Sequence, residues 1–494
     1  MKRTLSLVLI ALMLILQLGA CSGAPADQDK ELSNETTAAV ETEPETVAGM
    51  ERANLPEKNY DGEEIVFLGG ANDSSGYAWR FIDSAEQTGE VLNDAIYVRN
   101  RKVEATYGVK ISAILPENSS DTKVITNSIN ASDSSFDAIV WRIEQLMPLA
   151  RDNFLVDYGD MTYIDTSASW WDQSLVEGLT LFDQLYFCTG DISPWTDARV
   201  NSIVFNKDMC RELGLELPYQ SVFNGTWTIE KFNTYISNVN SDINGDSKMD
   251  YDDRWGFFSQ NGCGWMVYFS GGGRITDTVG DEPVISFSSE RNVTLANMAL
   301  SISTDKSKTL MADPYVNSNG GWPAASAWFA NGGSLMRSSV FEPVPRDYRS
   351  METDFGVLPF PKLDENQDRY YTLPEYATPV ISFPTTCDRE SVSLIVEAMA
   401  AESTYTVTEA FYENCLNEKS VRDEESKQIL KIIFDSKIFD IGYFLNLGDF
   451  RGQLNKLEGA GTTDVASTFE KINKTAQKAL EKLIEDYIKL AEAK

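Results

Sequence analysis

Residues 242–253 carry the sharpest chemical spacing in this sequence. Read as DINGDSKMDYDD, they place the side-chain oxygens of Asp242, Asn244, Asp246, Asp250 and Asp253 at the first, third, fifth, ninth and twelfth positions of an EF-hand-like loop. The Lys248 carbonyl falls at the seventh. Calcium favours such a loop because roughly six or seven hard oxygens converge as the chain wraps round it, and its charge offsets the repulsion among the carboxylates. Two departures stand out: Ser247 replaces the usual glycine, and Asp253 replaces the usual bidentate glutamate. An acidic surface turn is the alternative reading. Trp255-Gly256-Phe257 follow at once and read as a strand, so a calcium ion here would be structural, with no catalytic cofactor implied.

A second set is aromatic. The chain has 10 Trp and 20 Tyr, and Trp79, Trp141, Trp170, Trp171, Trp195, Trp265, Trp322 and Trp328 fall at predicted strand ends or in loops. A sugar presents faces of C–H groups edged by hydroxyls. Flat rings cover those faces while Asp, Asn, Arg and Glu satisfy the hydroxyls. Taken singly, each of these residues also suits a core or rim position.

Other chemistries are excluded by composition. There is no histidine, which removes Ser-His-Asp and Cys-His pairs, a histidine general base and the usual zinc sites. Cysteines at 21, 188, 210, 263, 387 and 415 are widely and irregularly spaced and predict neither a disulfide framework nor a metal cluster. With 42 Lys+Arg against 75 Asp+Glu, the net charge of −33 makes nucleic acid and anionic lipid surfaces poor partners. No residue is assigned a catalytic role.

The elements that must position these residues lie in an exported body. Lys2 and Arg3, the apolar run 5–16 and then Leu18-Gly19-Ala20-Cys21 read as a lipoprotein signal peptide over residues 1–20, leaving Cys21 as a lipidated N-terminus. An ordinary secretory leader or an uncleaved anchor is the alternative, although the apolar run is short for a span of about 20 residues. Residues 22–59 contain no aromatic residue and are dominated by Glu, Thr, Ala, Asp, Ser and Pro. The expected segment 21–59 is a disordered tether, about 30–35 Å in mean span as a flexible coil.

From Tyr60 the pattern alternates. Residues 64–68, 109–115 and 136–141 read as strands, and 90–107 and 121–130 as helices, which predicts an α/β lobe with a largely parallel sheet. Ligands of such sheets collect beyond the carboxyl ends of the strands. That points to residues 71–73, to Trp141 and Arg142, and to the chain after Cys188. At the other end, Val465, Phe469, Ile472, Ala476, Ala479, Leu483 and Tyr487 repeat at steps of three and four, an amphipathic core-covering helix.

Several phrases in order carry a family resemblance. Ala138-Ile139-Val140-Trp141 is followed by Gln184-Leu185-Tyr186-Phe187-Cys188-Thr189-Gly190-Asp191, Phe205-Asn206-Lys207-Asp208, Thr226-Trp227-Thr228-Ile229-Glu230, Trp328-Phe329-Ala330-Asn331-Gly332-Gly333 and Phe355-Gly356-Val357-Leu358-Pro359-Phe360-Pro361. This order resembles the extracellular solute-binding proteins of family 1, the maltose-binding-like components of ABC importers. The resemblance implies an α/β, two-lobed periplasmic-binding-protein-like fold with a hinge and an interlobe ligand cleft. Lobe I would hold residues 60–190 and 357–420, and lobe II residues 191–356 and 421–494, with crossings near 190–195, 355–361 and 410–430. Trp141, Arg142, Asp191 and Trp195 would then meet where the lobes face each other, with Asn261, Trp265, Glu375 and Tyr376 at neighbouring strand ends.

The implied function is a lipid-anchored, extracytoplasmic binder of a mono- or oligosaccharide that delivers it to importer membrane subunits. Peptides or other small solutes, a sensor or adhesion protein on the same lobes, and a glycoside hydrolase using a pair such as Glu375 and Asp191 are the alternatives.

Overall fold

The computed structural model describes residues 53–69, 82–116, 121–280, 282–348, 351–416 and 423–493. The leader, Cys21, most of the expected tether, residues 71–73 and Trp79 lie outside the described residues.

The first sheet grows from three buried apolar runs. Strand β1 (Glu63–Gly69) pairs in parallel with β2 (Val109–Ile114) on one side and β3 (Ala138–Arg142) on the other. Parallel neighbours need crossover connections. Helix α1 (Val91–Tyr107) supplies the first, and Gly108 ends it at φ 63, a left-handed position that costs a glycine little. Helix α2 (Lys123–Ala131) supplies the second, and α3 (Ile143–Arg151) follows β3 directly.

A five-stranded sheet carries the second core. In chain order its strands are β4 (Asn201–Asn206), β5 (Trp255–Ser259), β8 (Thr309–Met311), β9 (Ser334–Val340) and β10 (Phe355–Leu358), and in space β10-β4-β9-β5-β8. Both β4 and β5 are buried at every position, so neither shows the alternation of a half-exposed strand. The hairpin β6 (Thr276–Val279) and β7 (Glu282–Ile285) lies apart. Helix α4 (Cys263–Ser270) follows β5. Strand β11 (Pro379–Ser382) returns to the first sheet, antiparallel to β3 with Arg142 opposite Pro379. Three further helices complete the frame: α5 (Arg389–Thr404), α6 (Phe450–Ala460) and α7 (Val465–Glu492).

Three segments run between the sheets. Residues 190–200 leave the first sheet after the Cys188–Ile381 bridge, Val200 then pairs with Pro374, and Thr372 pairs with Lys437. The second passage therefore lies at 372–376, later than the 355–361 expected from sequence. Two prolines do end β10, but the chain after them stays on the second sheet's side: the Lys362 amide donates to the Trp227 carbonyl and the Tyr370 hydroxyl to the Val222 carbonyl. A boundary at residue 357 would cut β10 in two.

The ends differ from expectation as well. Packing reaches back before Tyr60, because Ala53 and Leu55 lie against the core. Helix α7 serves both halves: Phe469 packs on Phe287 and Phe450, while Asp486 pairs with Arg151 at 2.6 Å and the Tyr487 carbonyl accepts from Gln184. Its apolar repeat therefore covers two surfaces in succession. Among the described residues no helix is long and apolar enough to cross a membrane.

Candidate ligand cleft between the two sheets

Arg451 gathers the site. It stands in the first turn of α6, and its Nη2 lies 2.7 Å from a Glu144 oxygen in the first turn of α3, so one ion pair spans the two halves. The guanidinium carbon sits 4.2 Å from the ring centre of Tyr376 and 5.4 Å from that of Tyr443. Both are cation–π distances. Tyr443 in turn meets Trp265 edge to face at 6.1 Å, and Trp265 packs 4.9 Å from Phe450. Rings from two separate stretches, Tyr376 and Tyr443, thus lie against one cation, with Trp265 packed behind Tyr443.

A second ion cluster flanks it. Arg199 pairs with Glu375 and approaches Glu342 at 3.9 Å, and its guanidinium carbon lies 5.6 Å from the Trp195 ring centre. The Glu375 amide also donates to the Arg199 carbonyl at 3.0 Å. Burial raises the Tyr443 hydroxyl above its ordinary range; Arg451 opposes that shift, while Glu375, Tyr376 and Glu144 add to it. Tyr443 therefore remains a neutral hydroxyl, able both to donate and to accept.

Several polar atoms here are buried without a hydrogen-bond partner: Trp265 Nε1, Arg451 Nη1, Asn455 Oδ1 and, on β3, Trp141 Nε1. Asn455 and Trp265 flank Gly262, where an added Cβ would lie 3.9 Å from Asn455 Oδ1 and 4.0 Å from Trp265 Cδ1. Leaving such atoms unpaired costs about 1–3 kcal/mol each. A ligand rich in hydroxyls would supply partners for donors and acceptor alike.

The residues expected from sequence separate into three groups. Trp195, Trp265, Glu375 and Tyr376 join the cluster round Arg451 and Arg199, and Trp141 and Arg142 end the strand that leads to Glu144. Asp191 lies elsewhere. It accepts from the Thr404 hydroxyl at 2.6 Å, burial raises its carboxyl, and it lines a junction cavity of about 290 Å³ with Asp172, Asp197 and Lys437. Asn261 is exposed, donates its amide to Asp313 at 2.7 Å and lines another cavity. Glu375 and Asp191, the pair considered as acid and nucleophile, are engaged by different partners, Arg199 and Thr404.

Sequence reasoning missed Glu144, Arg199, Tyr443, Arg451 and Asn455. Glu144 had a signal, two residues beyond Arg142 at the same strand end. Arg451 and Asn455 had none, because one turn of an amphipathic helix looks much like another.

The acidic loop closes on itself. Asp242 accepts from the Gly245 and Ser247 amides, Asn244 from Asp246, Asp246 from Lys248, and Asp250 from Asp252. Asp253 is 1% exposed and accepts from both Ile243 and Asp250. Among the described residues no group of three or more His, Cys, Asp or Glu side chains is placed to hold a metal ion. Cys188, Cys210, Cys263 and Cys387 are free thiols, and burial pushes Cys210 and Cys387 up to about 12, which leaves them protonated.

No protein-family model matches the chain, and none of the curated proteins matches it. Solved structures do. UgpB from Mycobacterium tuberculosis in complex with glycerophosphocholine superposes with a TM-score of 0.56 at 16% identity, over 86% of this chain and 100% of that one. A cyclo/maltodextrin-binding protein complexed with maltotetraose gives 0.53 at 13%, over 86% and 96%. The ABC substrate-binding protein Lmo0181 from Listeria monocytogenes, in complex with cycloalternan, gives 0.51 at 14%, over 87% and 100%. The fold is thus the two-lobed, periplasmic-binding-protein-like α/β fold.

Proposed function

We infer that the protein is the solute-binding component of an ABC importer and that its solute is a carbohydrate held in the cleft at Arg451. The observation that carries this reading is the set of unpaired donors and acceptor, Trp265 Nε1, Arg451 Nη1 and Asn455 Oδ1, beside the rings of Tyr376 and Tyr443. Two structural neighbours support the carbohydrate reading, one solved with cycloalternan and one with maltotetraose; the third was solved with glycerophosphocholine. The ligand would bridge both lobes and stabilise the closed state, which the importer's membrane subunits recognise. No covalent step is required.

Cys21 would carry the lipid that holds the body outside the cytoplasm, with the chain before residue 53 as its leash. Loop 242–253 enters the proposal as a structural calcium loop, because five aspartates face a single lysine within it.

Thermal unfolding against a panel of mono- and oligosaccharides tests the reading. A ligand that binds only the folded state raises the Tm. One sugar is expected to do so and to be recovered unchanged; no shift with any sugar, or consumption of the sugar, overturns the assignment. Calcium is expected to raise the Tm above its value in chelator, and Asp253→Asn to abolish that rise.

A further inference from the structure

A cavity of about 510 Å³ lies at the outer edge of the five-stranded sheet, beside β8. Met249, Tyr251, Trp255 and Met311 line it, together with Asn261 and the charged Lys306, Asp313 and Glu458. Three of its polar groups are already satisfied. The Tyr251 hydroxyl donates to the Met311 carbonyl at 2.6 Å, and Trp255 Nε1 donates to the Asp250 carbonyl at 2.7 Å. Glu458, 4% exposed, accepts from the Gly262 and Gly264 amides at 2.6 and 3.0 Å. The rings and thioethers are left to present apolar surface. This is the opposite of the cleft, where Trp265 Nε1 and Arg451 Nη1 have no partner.

Cavity and cleft adjoin. Arg451, Asn455 and Glu458 recur at steps of four and three along α6 and so share one face. At about 1.5 Å per residue they span about 10 Å. Gly262 stands between Asn261, which lines the cavity, and the Asn455–Trp265 pair, and a Cβ there would meet that pair only at ordinary van der Waals distance.

We propose that this cavity is an aglycone subsite: the solute is a glycoside whose sugar lies at Arg451 and whose apolar aryl group lies against Trp255, Tyr251 and Met311. The inference rests on the sugar reading of the cleft. Methionine thioethers and aromatic edges suit an aryl ring, and burying one strengthens binding by roughly tenfold or more.

The test compares the methyl and 4-nitrophenyl glycosides of whichever sugar raises the Tm, with 4-nitrophenol alone as a third probe, by titration calorimetry on the full chain. The aryl glycoside is expected to bind roughly tenfold more tightly than the methyl glycoside. Met311→Glu is expected to remove that gain without altering the methyl glycoside. Met249→Glu, at a position 40% exposed, is expected to do the same, with the Tm in the absence of any glycoside checking that each variant is folded. Binding of 4-nitrophenol that both variants abolish supports the cavity even where no sugar binds, and it is then the sugar reading that fails. Equal affinity for the two glycosides, or aryl affinity unchanged in both variants, overturns the proposal.

Discussion

Arg451 is the residue on which the proposed cleft turns, because it pairs across the two halves and still has a nitrogen to offer a ligand. One nitrogen holds Glu144 across the two halves while another remains buried and unpaired. Arg451→Met keeps much of the packing against Tyr376 and Tyr443 but removes every donor. The sugar that raises the Tm is expected to bind about 10–100-fold more weakly to it, as fits a charged hydrogen bond of about 1.5–3 kcal/mol; calorimetric titration checks this. Glu397 makes a different prediction. It is 1% exposed and accepts from Trp170 Nε1 and Trp171 Nε1, each at 3.0 Å, and from the Asp165 amide. Burial outweighs these donors and raises its carboxyl from 4.5 to about 7. The folded protein therefore holds this proton more tightly than the unfolded chain does. The contribution is fully present below about pH 4.5 and is lost as pH rises to about 7, on the order of 3 kcal/mol in all. Urea unfolding at pH 5 and 7.5 is expected to show the loss in the native protein and not in Glu397→Gln.

At the scale of elements, local chemistry explains most of what was legible beforehand. Thr228 caps helix Ile229–Ile236 by accepting from the Lys231 amide, and Asp388 caps α5 by accepting from Glu390 and Ser391; such side chains announce a helix start in the sequence itself. Strands β1 to β3 were equally readable as apolar runs between turn residues. The first crossing segment was readable only in position, and its conformation depends on a contact. An added Cβ at Gly190 would lie 2.0 Å from the Trp170 carbonyl oxygen and 2.9 Å from Trp171 Cα. All of these are backbone atoms, so no side chain can move aside. Gly190→Ala is expected to lower stability by about 1–3 kcal/mol, read as a lower midpoint in denaturant with the same slope.

For the whole molecule the junction matters most. Lys437 lies in the third segment and pairs with Asp197 of the first and, at 2.8 Å, with Asp172. Burial alone would lower its ammonium, but the two carboxylates outweigh burial and hold it above the ordinary range. Asp172 also caps helix Gln173–Leu179, so one cation fastens an element of the first half to two passing segments. Removing it strands two buried carboxylates. Lys437→Met is expected to cost about 3–5 kcal/mol, measured by thermal unfolding, with the ligand-induced rise in Tm retained because the cleft residues are untouched.

From the sequence alone came the α/β class, the order of strands and helices, the absence of histidine chemistry and four aromatic or acidic members of the cleft, Trp195, Trp265, Glu375 and Tyr376. The class, the element order and the missing histidine follow from periodicity and composition, which act over a few residues at a time, whereas the placing of those four residues at the cleft follows from what the family resemblance implies. The partners of those four were decided by tertiary structure. Glu144 meets Arg451 across more than half of the chain, and nothing local to either announces the other. Tertiary packing also decided that residues 359–371 stay with the second sheet, that α7 covers both halves, and that Asp191 faces a junction cavity away from Arg451. In each case the outcome depends on which buried polar groups find partners once distant elements are brought together, and that is settled by the assembled core.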